Sequence, residues 1–125
     1  MALRSSFVLI AAATALISAQ PSFSQAGIDN SQQRAANLAR DAAIKLNGGL
    51  IKYRPAACMF VIGGTPCLVK NDAKGFLFRF EGGSPAWQQL KQPPTTLTEI
   101  LVAPGGRKVV GTPLNKVLTP VVAKP

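Results

Sequence analysis

The chain has 125 residues, with 14 lysines and arginines against five acids, no histidine, and a net charge of +9. Without histidine, Ser-His-Asp and Cys-His nucleophile systems are excluded, and zinc would lack its commonest nitrogen ligand. A glycine-rich phosphate loop followed by Lys-Ser or Lys-Thr is also missing, which removes that class of nucleotide chemistry.

Residues 1–26 read as a secretory leader. Arg4 supplies the positive start, residues 7–17 are apolar apart from Thr14, and Ser24-Gln25-Ala26 places small residues where a signal peptidase reads. Cleavage is expected after Ala26, with Ala19 and Ser24 as alternatives. The apolar core is about half the roughly 20 residues that a bilayer span requires, so the expected product is an exported chain, periplasmic or extracellular, without a transmembrane segment. Thirteen of the basic residues and all five acids follow the leader, which leaves the mature chain at +8. Such an excess favours anionic partners: an envelope polymer, a lipid surface or an acidic protein. Export argues against nucleic acid as the physiological one. Net charge of this size also serves plain solubility.

The first element of the mature part is a helix over residues 32–46. Asp29, Asn30 and Ser31 are candidate N-caps, and Asn47-Gly48-Gly49 is a stop. Ala35, Leu38, Ala39, Ala42, Ala43 and Leu46 repeat at steps of three and four and form one apolar stripe. The stripe is mostly alanine, which suits close packing on a sheet.

Short β-type runs divided by turn residues follow. They are expected at residues 50–54, 58–62, 67–70, 76–81, 98–103 and 107–111. Phe76, Phe78 and Phe80 alternate onto one face of the fourth run, and Leu77, Arg79 and Glu81 onto the other. The expected fold class is α+β: one N-terminal helix packed on an antiparallel meander of about four to six short strands, in a single small domain. The domain spans residues 27–112, and residues 113–125 form a proline-containing, loosely ordered tail. The helix-then-meander order resembles that of cystatin-type protease inhibitors. Their Gln-x-Val-x-Gly hairpin loop is not in this sequence, so no residue role carries over.

Cys58 and Cys67 are the only cysteines. In an oxidising compartment they are expected to form a structural disulfide, because their spacing does not fit a redox Cys-x-x-Cys pair and a metal site would lack histidine and depend on two thiolates and distant carboxylates. In a sheet of suitable register, Lys52, Arg54, Lys70 and Arg79 crowd the outer face as a candidate anion-binding surface, the plainer reading being an ordinary solvated face. Trp87, the single tryptophan, lies in the longest connection and is a candidate interface residue, or else the cap on an open end of the core.

Catalytic signals are sparse. Gly82-Gly83-Ser84-Pro85-Ala86 has a superficial likeness to a nucleophile elbow, but it ends in alanine, contains proline and has no histidine to activate the serine. Glu81 and Glu99 are the only carboxylates placed to approach each other as a hydrolytic pair, and a strand-end charge with a local salt bridge is the plainer role. No catalytic residue, metal or cofactor is therefore assigned. The expectation is a non-enzymatic, disulfide-stapled basic module that binds an anionic envelope component or an acidic partner. The alternative is a protein-interaction or inhibitor module using residues 82–94, and a small carboxylate hydrolase is a remote third.

Overall fold

The computed structural model of the chain describes residues 28–119; the predicted leader and the last six residues lie outside that range. Helix α1 covers Asn30–Leu46. Asp29 precedes it in extended conformation, and its carboxylate accepts the Gln32 backbone N–H at 2.9 Å and the Ser31 hydroxyl. These two hydrogen bonds, the Ser31 hydroxyl first, hold the Asp29 carboxyl below its ordinary range. The Gln32 bond satisfies a backbone donor that the first helical turn otherwise leaves free. At the other end Asn47 closes the helix, and Gly48 and Gly49 take positive φ.

Five strands form one antiparallel sheet: β1 (Arg54–Pro55), β2 (Leu68–Asp72), β3 (Gly75–Gly83), β4 (Thr96–Val102) and β5 (Val109–Val117). The fold is α+β, as expected. β3 lies at the centre. One of its edges pairs with β2 along its first half and with β1 at Gly82 and Gly83. Its other edge pairs with β4, which in turn pairs with β5. Phe76, Phe78 and Phe80 point inward and are buried with Ile100 and Val102 beneath Ala35, Ala36, Ala39 and Ala43 of α1. The alternation read from residues 76–81 is thus the alternation of the folded strand.

Three expectations are corrected. Residues 50–54 are not a strand. They turn tightly off the helix through Lys52 N–H and Tyr53 N–H to the Gly49 carbonyl, and only Arg54 and Pro55 reach the sheet. Residues 58–62 are not a strand either. Residues 57–60 and 62–67 form two short 3₁₀ turns that leave the sheet edge and pack under α1. The cause is local. The Cys58–Cys67 disulfide holds the ends of this segment at a Cα–Cα distance of 5.8 Å. Gly63 and Gly64 take φ of 71° and 56°, a left-handed conformation in which glycine is at ease. A β-carbon on Gly64 would lie 3.1 Å from the Phe78 ring and 3.2 Å from Ala36 Cβ. The segment is therefore threaded between helix and sheet, where a side chain has little room.

The third correction concerns the tail. Residues 113–117 complete β5, with Val117 opposite Thr96, and the Leu118 N–H donates to the Thr95 carbonyl at 2.8 Å. Pro113 does not end the strand. β5 is an edge strand, and its register shifts between Glu99 and Leu101, so a residue without a ladder N–H is accommodated. The domain therefore extends past residue 112: residues 113–117 of the stretch expected as loose are paired, and residues 120–125 of it lie outside the described residues.

Gly82 and Gly83 end β3 with aromatic rings on opposite sides. A β-carbon on Gly82 would fall 2.2 Å from the Tyr53 ring on the core side, and one on Gly83 would fall 2.8 Å from the Trp87 indole on the other. The two glycines let both rings lie directly on the backbone.

Two predictions follow from this packing. Replacing Cys58 and Cys67 together by serine lowers the unfolding free energy by about 2.5–3 kcal/mol, read from urea denaturation; free thiols titrating in the native protein would overturn the disulfide itself. Gly82→Ala costs about 1–3 kcal/mol through the ring clash. Gly105→Ala, whose β-carbon meets nothing within 4 Å, leaves the melting temperature unchanged and serves as the control.

Candidate functional site

Of the four basic residues expected together on the outer face, Arg54, Lys70 and Arg79 lie at or opposite outward positions of β3 but are spread along it, and Lys52 does not join them. Lys52 lies in the turn after α1, off the sheet, with its aliphatic stem beside Gly48. Lys70 pairs with Leu77, Arg79 with Glu99, and Arg54 with Gly83. The partners of Lys70 and Arg54 are six residue steps apart along β3, a run of about 20 Å. Arg79 also spends part of its charge locally, with its Nε 3.7 Å from the Glu99 carboxylate. The misplacement of Lys52 has the same origin as the lost first strand: the helix stop leads into a tight turn.

Glu81 and Glu99 do come onto one face, as diagonal neighbours on β3 and β4, since Glu81 pairs with Leu97 and Glu99 with Arg79. Arg79 takes up Glu99, the salt-bridge role anticipated for it. Among the described residues no group of three or more Cys, Asp or Glu side chains is placed to hold a metal ion.

Two of the singled-out residues meet elsewhere. A groove of about 450 Å³ is lined by Arg54, Pro55, Ala57, Phe60, Pro85, Ala86, Trp87, Gln88 and Gln89. One wall is β1 and the first 3₁₀ turn. The other is the loop between β3 and β4. Two hydrogen bonds tie these walls: the Trp87 indole N–H donates to the Arg54 carbonyl at 3.0 Å, and the Ala57 N–H donates to Gln88 Oε1 at 2.7 Å. The loop holds its own shape through the Leu90 N–H to the Ala86 carbonyl and the Gln92 N–H to the Trp87 carbonyl. Ala86 and Lys91 sit at φ of 65° and 54°, left-handed positions that cost a residue with a side chain about 1–2 kcal/mol.

Trp87 is only 7% exposed. It packs on Gly83 and reaches the groove at its margin, so it acts chiefly as a cover on the outer face rather than as a free interface side chain. Trp87 and Gln88 also border a second depression of about 440 Å³, which contains Arg79, Glu81, Leu97 and the disulfide. They form the ridge between the two.

Charge in the first groove is simple. Among the described residues Arg54 is its only charged side chain, and no acid lines it. Arg54 is itself fixed, its Nε donating to the Leu50 carbonyl at 3.2 Å. Phe60, Pro55, Pro85 and the indole supply apolar wall, and Gln89 is exposed at its rim. Such a cleft can hold an extended segment that carries a negative group beside an apolar or sugar-like body. Sequence reasoning missed Phe60, Gln88 and Gln89. The first was read as a strand residue, and the glutamines sit in a connection whose shape is set by tertiary contacts.

No family model matches the chain, and neither a curated protein nor a solved structure is found similar to it. Among the described residues, no helix is long and apolar enough to cross a membrane.

Tyr53, next to Arg54 and beneath Gly82, is the only tyrosine. Its hydroxyl is buried without a well-formed hydrogen bond; the Thr98 hydroxyl nearby donates to Asn115 at 2.8 Å. Burial pushes the phenol up to about 12, with Thr98 acting in the opposite direction. The unfolded chain releases this proton near pH 10. The stabilisation from keeping the phenol neutral is therefore complete below about pH 10 and is lost as pH rises toward 12. Ultraviolet titration of the native protein should show one ionisation well above that of free tyrosine, and Tyr53→Phe should remove it together with part of the alkaline loss of stability. A native midpoint near 10 would overturn the assignment.

Proposed function

We propose that this chain is a non-enzymatic, exported binding module that holds an anionic envelope component, with the Arg54 groove as its seat. The observation that carries this reading is a groove already shaped by cross-wall hydrogen bonds whose sole charge is a fixed guanidinium. Preformed walls reduce the entropy lost on binding. A mature charge of +8 raises the local concentration of anionic ligands around the groove. The leader-like N-terminus and the disulfide support delivery to an oxidising compartment. The loop that forms the second wall also carries Leu90, 63% exposed, which gives the interaction-module reading its own support: an acidic protein segment would lie between Arg54 and that loop.

The test is a salt-stepped extraction of the envelope fraction from cells that make the protein, with native chain and Arg54→Glu compared. The native chain is expected to sediment with the envelope at low salt and to release as salt rises, because exposed charge contacts are screened. Arg54→Glu should release at lower salt and keep the native melting temperature, since its side chain is exposed and the Trp87 bond uses the backbone carbonyl. Native protein found free at low salt would sink the proposal.

A further inference from the structure

The disulfide loop carries a feature that its sequence disguised. Phe60, Val61 and Ile62 are consecutive and are 57%, 51% and 57% exposed. A run of three exposed bulky apolar residues on a small chain is unusual, because burying them elsewhere would have been favourable. They do not hang from a loose strand. Met59 on one side and Gly63, Gly64 and Cys67 on the other are buried. The Gln32 side chain, buried at the start of α1, donates to the Gly63 carbonyl at 3.0 Å and to Thr65 Oγ1 at 3.2 Å. On the helix side, the Arg40 guanidinium donates to the Met59 carbonyl at 3.4 Å. Disulfide, glutamine and arginine together hold an exposed apolar tip in place.

Charge surrounds the tip asymmetrically. The Arg40 guanidinium stands over the Phe60 ring, 5.2 Å from its centroid, and Arg54 shares the groove that Phe60 borders. Asp41, the acid beside Arg40, is paired with it at 3.7 Å. Beyond Arg54 lies a second projecting aliphatic residue, Ile51, 90% exposed in the turn whose Leu50 carbonyl accepts from Arg54.

From this arrangement we infer that the tip formed by Phe60, Val61 and Ile62 inserts into an anionic lipid surface, with Arg40 and Arg54 meeting the headgroups. The inference rests on the proposed binding of an anionic envelope component and names lipid as that component. A clamped, exposed apolar tip flanked by guanidinium groups complements a surface that is negative outside and apolar just beneath. Arginine suits this position, since its stem tolerates an apolar setting while its fork pairs with phosphate. Insertion of side chains plus charge attraction is sufficient for reversible attachment without a spanning helix.

The experiment is co-sedimentation of the purified, disulfide-bonded protein with vesicles of phosphatidylcholine alone and of phosphatidylcholine mixed with phosphatidylglycerol. Native protein is compared with the double variant Val61→Ser and Ile62→Ser, two exposed tip residues outside the Arg54 groove, whose folding is checked by thermal melting and by the intact disulfide. Retention on polygalacturonate, an anionic polymer without an apolar interior, is measured in parallel. Binding to the mixed vesicles, weakened about tenfold or more in the double variant with polygalacturonate retention unchanged, supports insertion. Equal binding by both proteins overturns the insertion and leaves the anionic-binding function standing. Polygalacturonate retention with no vesicle binding does the same, and points to a polymer ligand. Failure on both supports overturns the insertion and the proposed function together.

Discussion

Four alanines on one helix face meet three phenylalanines on one strand face, and the rest of the molecule is arranged around that contact. Ala35, Ala36, Ala39 and Ala43 have small side chains, so α1 can pack closely on the sheet and on the second 3₁₀ turn. Phe76, Phe78 and Phe80 fill the space the alanines leave. Small against large is a way to reach native packing density in a short chain. It also has a geometric consequence. A helix that close leaves room at its flank only for backbone, and Gly64 occupies that room between Ala36 and Phe78. The disulfide loop is thus fitted to the helix–sheet contact itself.

Once the loop is fixed there, its composition has to be divided. Met59 and Cys67 turn inward and join the core, while Phe60, Val61 and Ile62 have nowhere to go but out. Tight clamps and exposed apolar side chains therefore have one cause. A longer or looser loop would allow these residues to fold back against the domain. Ten residues closed by a disulfide, with a buried glutamine gripping the Gly63 carbonyl, do not. The same clamp sets one wall of the Arg54 groove, because the first 3₁₀ turn brings Ala57 to Gln88 and Phe60 to the rim.

The extent to which this was legible in the sequence differs by residue. The helix, its Asp29 cap and its alanine face follow from local chemistry alone. The inward set of β3 follows from period-two alternation, and the disulfide from cysteine number and compartment. Residues 58–62 misled because an apolar run of five has no periodicity that separates a strand from a clamped turn. Their fate depends on Ala36, Phe78 and Gln32, far away in sequence. Residues 113–117 misled because proline argues against a central strand, whereas an edge strand with shifted register accepts it. Trp87 drew notice as a lone aromatic in a loop, but its partner is the absent side chain of Gly83, which no pattern of apolar residues can reveal. The basic set is spread along the outer face, with Lys52 off the sheet, since alternation within a strand carries no register between strands, yet Arg54 and Trp87 meet through a single backbone carbonyl.

That carbonyl couples the core to the surface. Arg54 belongs to a strand only two residues long, and its place is secured from both sides of the sheet. Tyr53, one residue before it, lies under Gly82, while Trp87 lies over Gly83 and donates to the Arg54 carbonyl. A two-residue strand has too few ladder bonds to hold a side chain steady. Here two aromatic rings clasp the glycine end of β3 and do the holding. The guanidinium can then remain exposed and still be positioned, which a cation on a free loop achieves only at the cost of entropy on binding. A side chain at either glycine would push one ring away and release the strand. The bare backbone of Gly82 and Gly83 is thus what connects the phenylalanine core to the only charge in the groove.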